Sequence, residues 1–269
     1  MSRGRSRRVL TRRFAQGRLT RLPDELAVEE PLSIRLDDIL VTTTMRTPGN
    51  DFELAAGFCL TEGLLEGATI KQLRYCSDDA SEKASFNVVT VDTGGTAPTP
   101  TPRLGLTSSS CGLCGSESID ALCARLRPVT RGNIPISVLA DISSRLEGQQ
   151  PLFAKTGAVH AAAVFDAHGT ITIVREDIGR HNAVDKVIGQ LLLEGQLPAT
   201  GLGLFVSGRA SFEIVQKAWA AGFAAIVAVS APSALAVDTA RAAGITLVGF
   251  ARERHFNLYT DAGHESVAP

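Results

Sequence analysis

No apolar run in this 269-residue chain approaches the roughly 20 residues that cross a bilayer, which sets a membrane-spanning role aside. No secretory signal is recognisable, and cysteine is both scarce and odd in number: Cys59, Cys76, Cys111, Cys114 and Cys123. That usage argues against a disulfide framework and for a reducing compartment, so a cytoplasmic location is expected. Acidic residues are missing from the first 21 positions, which hold eight arginines (Arg3, Arg5, Arg7, Arg8, Arg12, Arg13, Arg18 and Arg21). No apolar segment follows the twin arginines at 7–8 and 12–13, so an export signal is excluded. A like-charge block of this kind reads as a solvated, disordered tail over residues 1–22. The alternative is an arm for an acidic partner. Nucleic acid is a poor fit, because no series of aromatics interleaves with the arginines. Elsewhere no charge dominates: the net charge is −1 and 44% of residues are hydrophobic, as suits a globular chain with a sizeable core.

What the chain does have is a glycine-bracketed Cys-x-x-Cys, Ser110-Cys111-Gly112-Leu113-Cys114-Gly115. Such a pair binds metal, exchanges disulfides or handles sulfur as a nucleophile, and all three need thiolate. Gly112 and Gly115 free the backbone for tight turns. Ile119, Leu122 and Leu126 follow at helical spacing, so a helix is predicted from about Ser116, with Cys114 just before its N-terminus. The Gly/Pro/Thr-rich stretch 93–102 places the pair on an exposed loop.

The chain divides into a smaller α+β domain, residues 23–130, ending in the CxxC loop and helix, and a second domain, 131–269. In the first, Leu32 to Leu36 alternates as a half-buried strand. Asp51 is placed to cap a helix through Leu54, Phe58 and Leu65, and residues 86–91 form another strand. In the second, Ala161 to Val174 reads as a hairpin. A helix then carries Arg180, Val184, Val187 and Leu191 on one stripe, with Asp177 as its cap. Strands at 202–206, 224–229 and 245–250 alternate with helices from Phe212 and Ser233, which predicts a parallel βαβαβ core covered on both faces. Glu213 and Lys217, and likewise His181 and Asp185, are spaced to pair along their helices. Cys59, Cys76 and Cys123 read as buried small hydrophobes.

Ligands bind beyond the carboxyl ends of such strands. Those ends are Ser207-Gly208-Arg209-Ala210-Ser211, Ser230-Ala231-Pro232-Ser233 and Phe250-Ala251-Arg252. Small hydroxyls, a glycine, arginines and two helix N-termini suit an anionic ligand such as a nucleotide diphosphate. Arg180, expected to point over the sheet edge, and His160 and His181, which bracket the hairpin, join this rim. His168, in the hairpin turn, reads as structural.

Five motifs occur in order: Ser-Cys-Gly-Leu-Cys-Gly (110–115), Thr-Gly-Ala-Val-His-Ala (156–161), Glu-Asp-Ile-Gly-Arg-His-Asn-Ala-Val-Asp-Lys (176–186), Ser-Gly-Arg-Ala-Ser-Phe-Glu (207–213) and Leu-Val-Gly-Phe (247–250). Together they resemble the FdhD family, the sulfur carriers needed for formate dehydrogenase activity. The resemblance implies a cytidine-deaminase-like second domain and a homodimer. It also implies a sulfurtransferase that receives persulfide sulfur from a cysteine desulfurase and passes it to the Mo-bis(molybdopterin guanine dinucleotide) cofactor of formate dehydrogenase. Cys111 maps to the persulfide carrier and Cys114 to its partner. The family's guanine-dinucleotide segment maps to Phe250, Ala251, Arg252, Glu253, Arg254 and His255, where the family usually has Gly and Arg in place of Arg254 and His255. On placement, Arg180, Arg209 and Arg252 would hold phosphates, with Lys186 a lesser candidate, and His160 and His181 would donate to the dithiolene or an oxo group. A zinc deaminase is disfavoured, since its His-x-Glu should precede its Pro-Cys-x-x-Cys, and two residues after His160 stands Ala162 instead of Glu. A thioredoxin-like reductase wants its CxxC directly after a strand. The remaining alternative is a zinc-binding or chaperone module, with the CxxC as a metal clip across a dimer.

Overall fold

The computed structural model describes residues 4–76, 86–100, 115–130 and 132–262. Cys111 and Cys114 lie outside the described residues. No described helix is long and apolar enough to cross a membrane.

Alternation of Leu32, Ile34 and Leu36 with Ser33 and Arg35 gives strand β3 (Glu30–Leu36) one dry face. β3 pairs antiparallel with β4 (Ile39–Arg46) and parallel with β6 (Val88–Asp92). β5 (Gln72–Tyr75) completes a four-stranded sheet in the order β4-β3-β6-β5. Helix α1 (Asp51–Thr61) lays Leu54, Ala55 and Cys59 on that dry face. Asp51 does not cap it. The N-cap is Asn50, in left-handed conformation and without a side-chain cap bond. Arg46 claims the Asp51 carboxylate instead, donating from Nε at 3.1 Å and Nη2 at 2.9 Å. Both partners are buried, and a two-bond charge-assisted pair there outweighs one backbone cap.

The larger sheet begins with the expected hairpin, β7 (His160–Phe165) and β8 (Ile171–Asp177). Helix α5 (Arg180–Leu193) then leads to β9 (Gly203–Val206), β10 (Ala225–Ala228) and β11 (Thr246–Arg252). These three strands run parallel, as predicted, linked by α6 (Phe212–Ala221) and α7 (Ala234–Ala243). An unforeseen strand, β12 (His255–Thr260), returns antiparallel to β11, giving the order β12-β11-β10-β9-β7-β8. Both faces are covered. In β10, Ile226 and Ala228 pack into the layer formed with α5, α6 and α7. Ala225 and Val227 pack against α3 (Ile136–Arg145) on the other side, which the short α4 (Pro151–Thr156) follows in the chain. The architecture is mixed α/β.

Residues 6–22 are not a featureless tail. β1 (Ser6–Ala15) and β2 (Arg18–Ala27) form a ten-rung antiparallel hairpin, and β2 runs through the boundary expected at 22/23. Its two-residue turn, Gln16-Gly17, has φ of 50° and 74°, the left-handed pair that suits tight hairpins. Period-two alternation half-buries Val9, Thr11 and Leu22, while Leu10 and Phe14 point outward. The base is stitched to the body: Val28 N–H donates to the Arg5 carbonyl at 2.9 Å, and Arg5 Nη2 donates to the Glu176 carbonyl at 3.0 Å. The arginines hid this pattern, because a charge block masks a period of two.

Helix α2 (Gly115–Arg125) follows the CxxC, close to the predicted start. It buries Leu122, but Cys123 is exposed and Cys76 only half-buried. The apolar stripe is centred between Leu122 and Leu126, and Cys123 lies on its outer edge, beyond Ile119.

The two sheets are joined by α1 lying against α5. The helices cross where Gly57 meets the Asp185 carbonyl and Gly189 meets the Glu53 carbonyl, with no room for a Cβ at either position. Around this crossing runs a buried polar seam. Asp177 accepts from the Thr47 N–H at 3.0 Å and pairs with Lys186 Nζ at 2.7 Å, and Lys186 also donates to the Thr47 carbonyl at 2.9 Å. Lys217 Nζ reaches Asp185 at 3.0 Å, Glu62 at 3.3 Å and the Thr61 hydroxyl at 3.0 Å. The Thr61 hydroxyl in turn donates to Asp185 at 2.9 Å. The predicted pairs Glu213–Lys217 and His181–Asp185 are therefore replaced, because the buried lysine and aspartate find each other across two helices.

Candidate functional site

The carboxyl ends of β9, β10 and β11, the start of β7 and the end of β8 share one edge of the large sheet, since His160 stands opposite Asp177 and β7 runs antiparallel to β9. The loops beyond the strands stay in register. Ser230 N–H donates to the Gly208 carbonyl at 3.3 Å, Ser233 N–H to that of Ala210 at 3.1 Å, and Phe250 N–H to that of Ser230 at 3.2 Å. The N-termini of α5, α6 and α7 follow these loops, so backbone N–H groups and positive dipole ends gather at the rim. Ser233 caps α7 by accepting from the Ala236 N–H.

His160, Arg180 and Gly208 come together. A methyl group on Gly208 would lie 3.4 Å from His160 Nδ1 and 3.8 Å from Arg180 Cδ. The Arg180 Nε is buried without a hydrogen-bond partner among the described residues. A buried donor left open in this way is what an incoming anion would satisfy. Asp177 does not cap α5, whose N-cap is Gly179. It accepts from the Gly179 N–H at 2.8 Å and from Asn182 Nδ2 at 3.1 Å. With its bonds to Thr47 and Lys186, it braces the turn that presents Arg180 and His181. Lys186 is spent in this brace and does not reach the rim.

Ser207 serves the sheet: its hydroxyl accepts from the Ala161 N–H at 2.9 Å. His181 faces α6, with Nδ1 3.1 Å from Glu213 Oε2 and Nε2 3.4 Å from the Ser211 hydroxyl. Glu213 was missed as a site residue because its contact crosses from one helix to another, and no sequence spacing signals that. Arg209 and Arg252 are exposed. Phe250 is 48% exposed and held at φ 55°, a conformation that a bulky residue rarely adopts. Ala251 is buried, and its carbonyl accepts from the Ser143 hydroxyl at 2.9 Å. Glu253 and Arg254, at φ 47° and 63°, form the β11–β12 turn, and Arg254 pairs with Asp141 of α3 at 3.1 Å. His255 Nδ1 lies 2.8 Å from the Glu253 carbonyl. The rim thus unites His160, Arg180, His181, Gly208 and Ser211, and reaches Phe250 through the 230 loop. Arg254 is turned toward the α3 face.

Burial, Arg180, Lys217 and His160 together push the His181 pKa down from 6.5 to about 3. Burial and Arg180 lower that of His160 as well. His181 is therefore neutral in the folded protein and charged in the unfolded chain at mildly acidic pH. The unfolded state binds the extra proton, so the His181 contribution to stability is level above about pH 6.5 and falls as pH drops from there toward 3. In thermal melts across that range wild type should lose stability relative to His181→Gln as the pH falls. Identical pH profiles for the two proteins would contradict a neutral His181.

The FdhD/NarQ family model matches residues 27–265. The chain belongs to the FdhD/NarQ family. Among its relatives, the "Sulfur carrier protein FdhD" of Nocardia farcinica is 47% identical over 266 residues, covering 96% of this chain and 93% of that one. The protein of the same name from Streptomyces coelicolor is 46% identical, covering 95% and 93%. A crystal structure described as a formate dehydrogenase accessory protein, from Desulfotalea psychrophila, shares the fold of this FdhD/NarQ chain. Its TM-score is 0.78 at 23% identity, over 96% of this chain and 98% of that one.

Proposed function

We propose that this protein is a sulfur carrier accessory to formate dehydrogenase. The reading rests chiefly on full-length relatives named as sulfur carriers at 44–47% identity, together with Cys111 and Cys114 in their glycine-bracketed motif. Cys111 thiolate attacks the terminal sulfur of a persulfide held by a cysteine desulfurase. The desulfurase leaves as thiolate, and the sulfur stays on Cys111 as Cys–S–SH. Cys114 thiolate can then attack the inner Cys111 sulfur, forming a Cys111–Cys114 disulfide and expelling the terminal sulfur as hydrosulfide. The acceptor is the Mo-bis(molybdopterin guanine dinucleotide) cofactor, handled as cargo on its way to formate dehydrogenase. The rim supplies the matching chemistry: Arg180 with its open Nε, exposed Arg209 and Arg252, and converging helix N-termini suit guanine-dinucleotide phosphates. The order β8-β7-β9-β10-β11, with one antiparallel hairpin ahead of a parallel run, supports a cytidine-deaminase-like second domain. A homodimer working in the cytoplasm completes the reading.

Mass spectrometry after incubation with a cysteine desulfurase and cysteine tests it. Wild type should gain a reductant-labile sulfur on the Cys111 peptide, and Cys111→Ser should lose it. No added sulfur on any cysteine, with zinc in the same preparation, would replace this reading with a metal clip.

A further inference from the structure

We propose that Glu213 is a positioning residue that fixes His181 as the acceptor of the Ser211 hydroxyl proton, so that the Ser211 oxygen at this corner receives a donor group of the ligand rather than its phosphates. This deepens the nucleotide reading above and rests on it. A carboxylate only accepts hydrogen bonds, so the 3.1 Å contact between His181 Nδ1 and Glu213 Oε2 places the ring proton on Nδ1. In the neutral ring Nε2 is then bare. Its neighbour at 3.4 Å is the Ser211 hydroxyl, which donates to Nε2 and turns its own oxygen outward as an acceptor. The chain Ser211–His181–Glu213 is polarised in one direction and ends on a negative charge, which strengthens acceptance at its open end.

The surroundings keep the ring uncharged. Burial first, and then Arg180 on α5, Lys217 on α6 and His160 on β7, oppose a proton on His181, while Glu213 is the carboxylate in contact with it. The side chains of His181 and Glu213 are 16% and 28% exposed, so water competes weakly. His181 consequently cannot donate to an oxo or dithiolene group, as its position in the sequence had suggested. The open acceptor of the corner is the Ser211 oxygen, and the ligand chemistry it fits is an N–H or O–H donor, as on a guanine edge or a ribose hydroxyl. The open Arg180 Nε, beside Gly208, is left for phosphate.

The test uses wild type, Glu213→Ala and Glu213→Gln, with GDP and inorganic pyrophosphate as probes. Nitrogen-15 NMR of the imidazoles should show His181 protonated on Nδ1 and bare on Nε2 between pH 5 and 8 in wild type, and a mixture of tautomers in Glu213→Ala. Calorimetry should show GDP binding weakened about tenfold in Glu213→Ala, the loss of one good hydrogen bond, with pyrophosphate changed less than about twofold. Glu213→Gln, whose amide oxygen still accepts from Nδ1, should recover most of the GDP affinity. A proton on Nε2 in wild type, an equal loss for both probes, or unchanged GDP binding in Glu213→Ala would each overturn the assignment. If wild type binds neither probe, the nucleotide reading fails and takes the ligand half of the inference with it. The NMR result identifies that case, because the tautomer does not depend on any ligand.

Discussion

Replacing Gly189 with valine is expected to lower the melting temperature by about 10 °C. Even the first carbon of a side chain at this position runs into the Glu53 backbone carbonyl, and Gly57 meets the Asp185 carbonyl in the same way from the other helix. A backbone carbonyl cannot rotate aside like a side chain, so α1 and α5 must separate along their contact. Forcing extra carbons into a packed contact costs typically 1–3 kcal/mol and occasionally more, and a backbone clash puts this site at about 3. For a chain of this size each kcal/mol moves the midpoint by roughly 2–4 °C. Gly189→Ala should fall less, because alanine returns about 1 kcal/mol of helix propensity. Calorimetric melts of both variants decide the matter. A valine variant that melts with wild type would mean the helices do not touch at this point.

Lys217→Met is expected to cost about 3–5 kcal/mol, the usual result of removing one member of a buried ion pair. Burial opposes charge on Lys217, but Asp185, Glu62 and Glu213 outweigh it and hold its pKa above the ordinary lysine value. Methionine fills most of the space and leaves Asp185, 2% exposed, with the Thr61 hydroxyl as its remaining polar contact at this point. Adding Asp185→Leu should return much of the loss, because the stranded charge goes as well. Urea unfolding of the single and double variants tests this. A double variant less stable than the single one would show that the pair contributes specific stability of its own.

These two sites also show where the sequence stops being readable. Period-two and period-3.6 patterns fall on local segments, so β3, the β7–β8 hairpin, the parallel strands and the stripe of α5 were all legible from their apolar spacing. The rim was legible too, because strand ends in such sheets have a fixed relation to helix starts. The failures are long-range choices. Lys217 could pair with Glu213 one turn away or with Asp185 on another helix, and only the packed structure decides between them. Asp51 could cap α1 or answer Arg46. Cys123 lies on the outer edge of the buried stripe, about 40° beyond Ile119 around the helix. The β1–β2 hairpin was hidden by its arginines, and β12 follows a turn whose left-handed residues are Glu253 and Arg254 rather than the glycine or asparagine that would have announced it. The cysteines that carry the proposed chemistry were visible only as a motif, and they lie outside the described residues.

The polar seam has a consequence for anyone who would divide this protein. Lys186 and Lys217 belong to the second half of the chain, while the carbonyl of Thr47, the hydroxyl of Thr61 and the carboxylate of Glu62 belong to the first. A gene fragment beginning near residue 132 would encode the large sheet with α3, α5, α6 and α7 still on it, but would bare the face of α5 that α1 covers and take from Lys186 and Lys217 their partners on Thr47, Thr61 and Glu62. The halves share one folding fate.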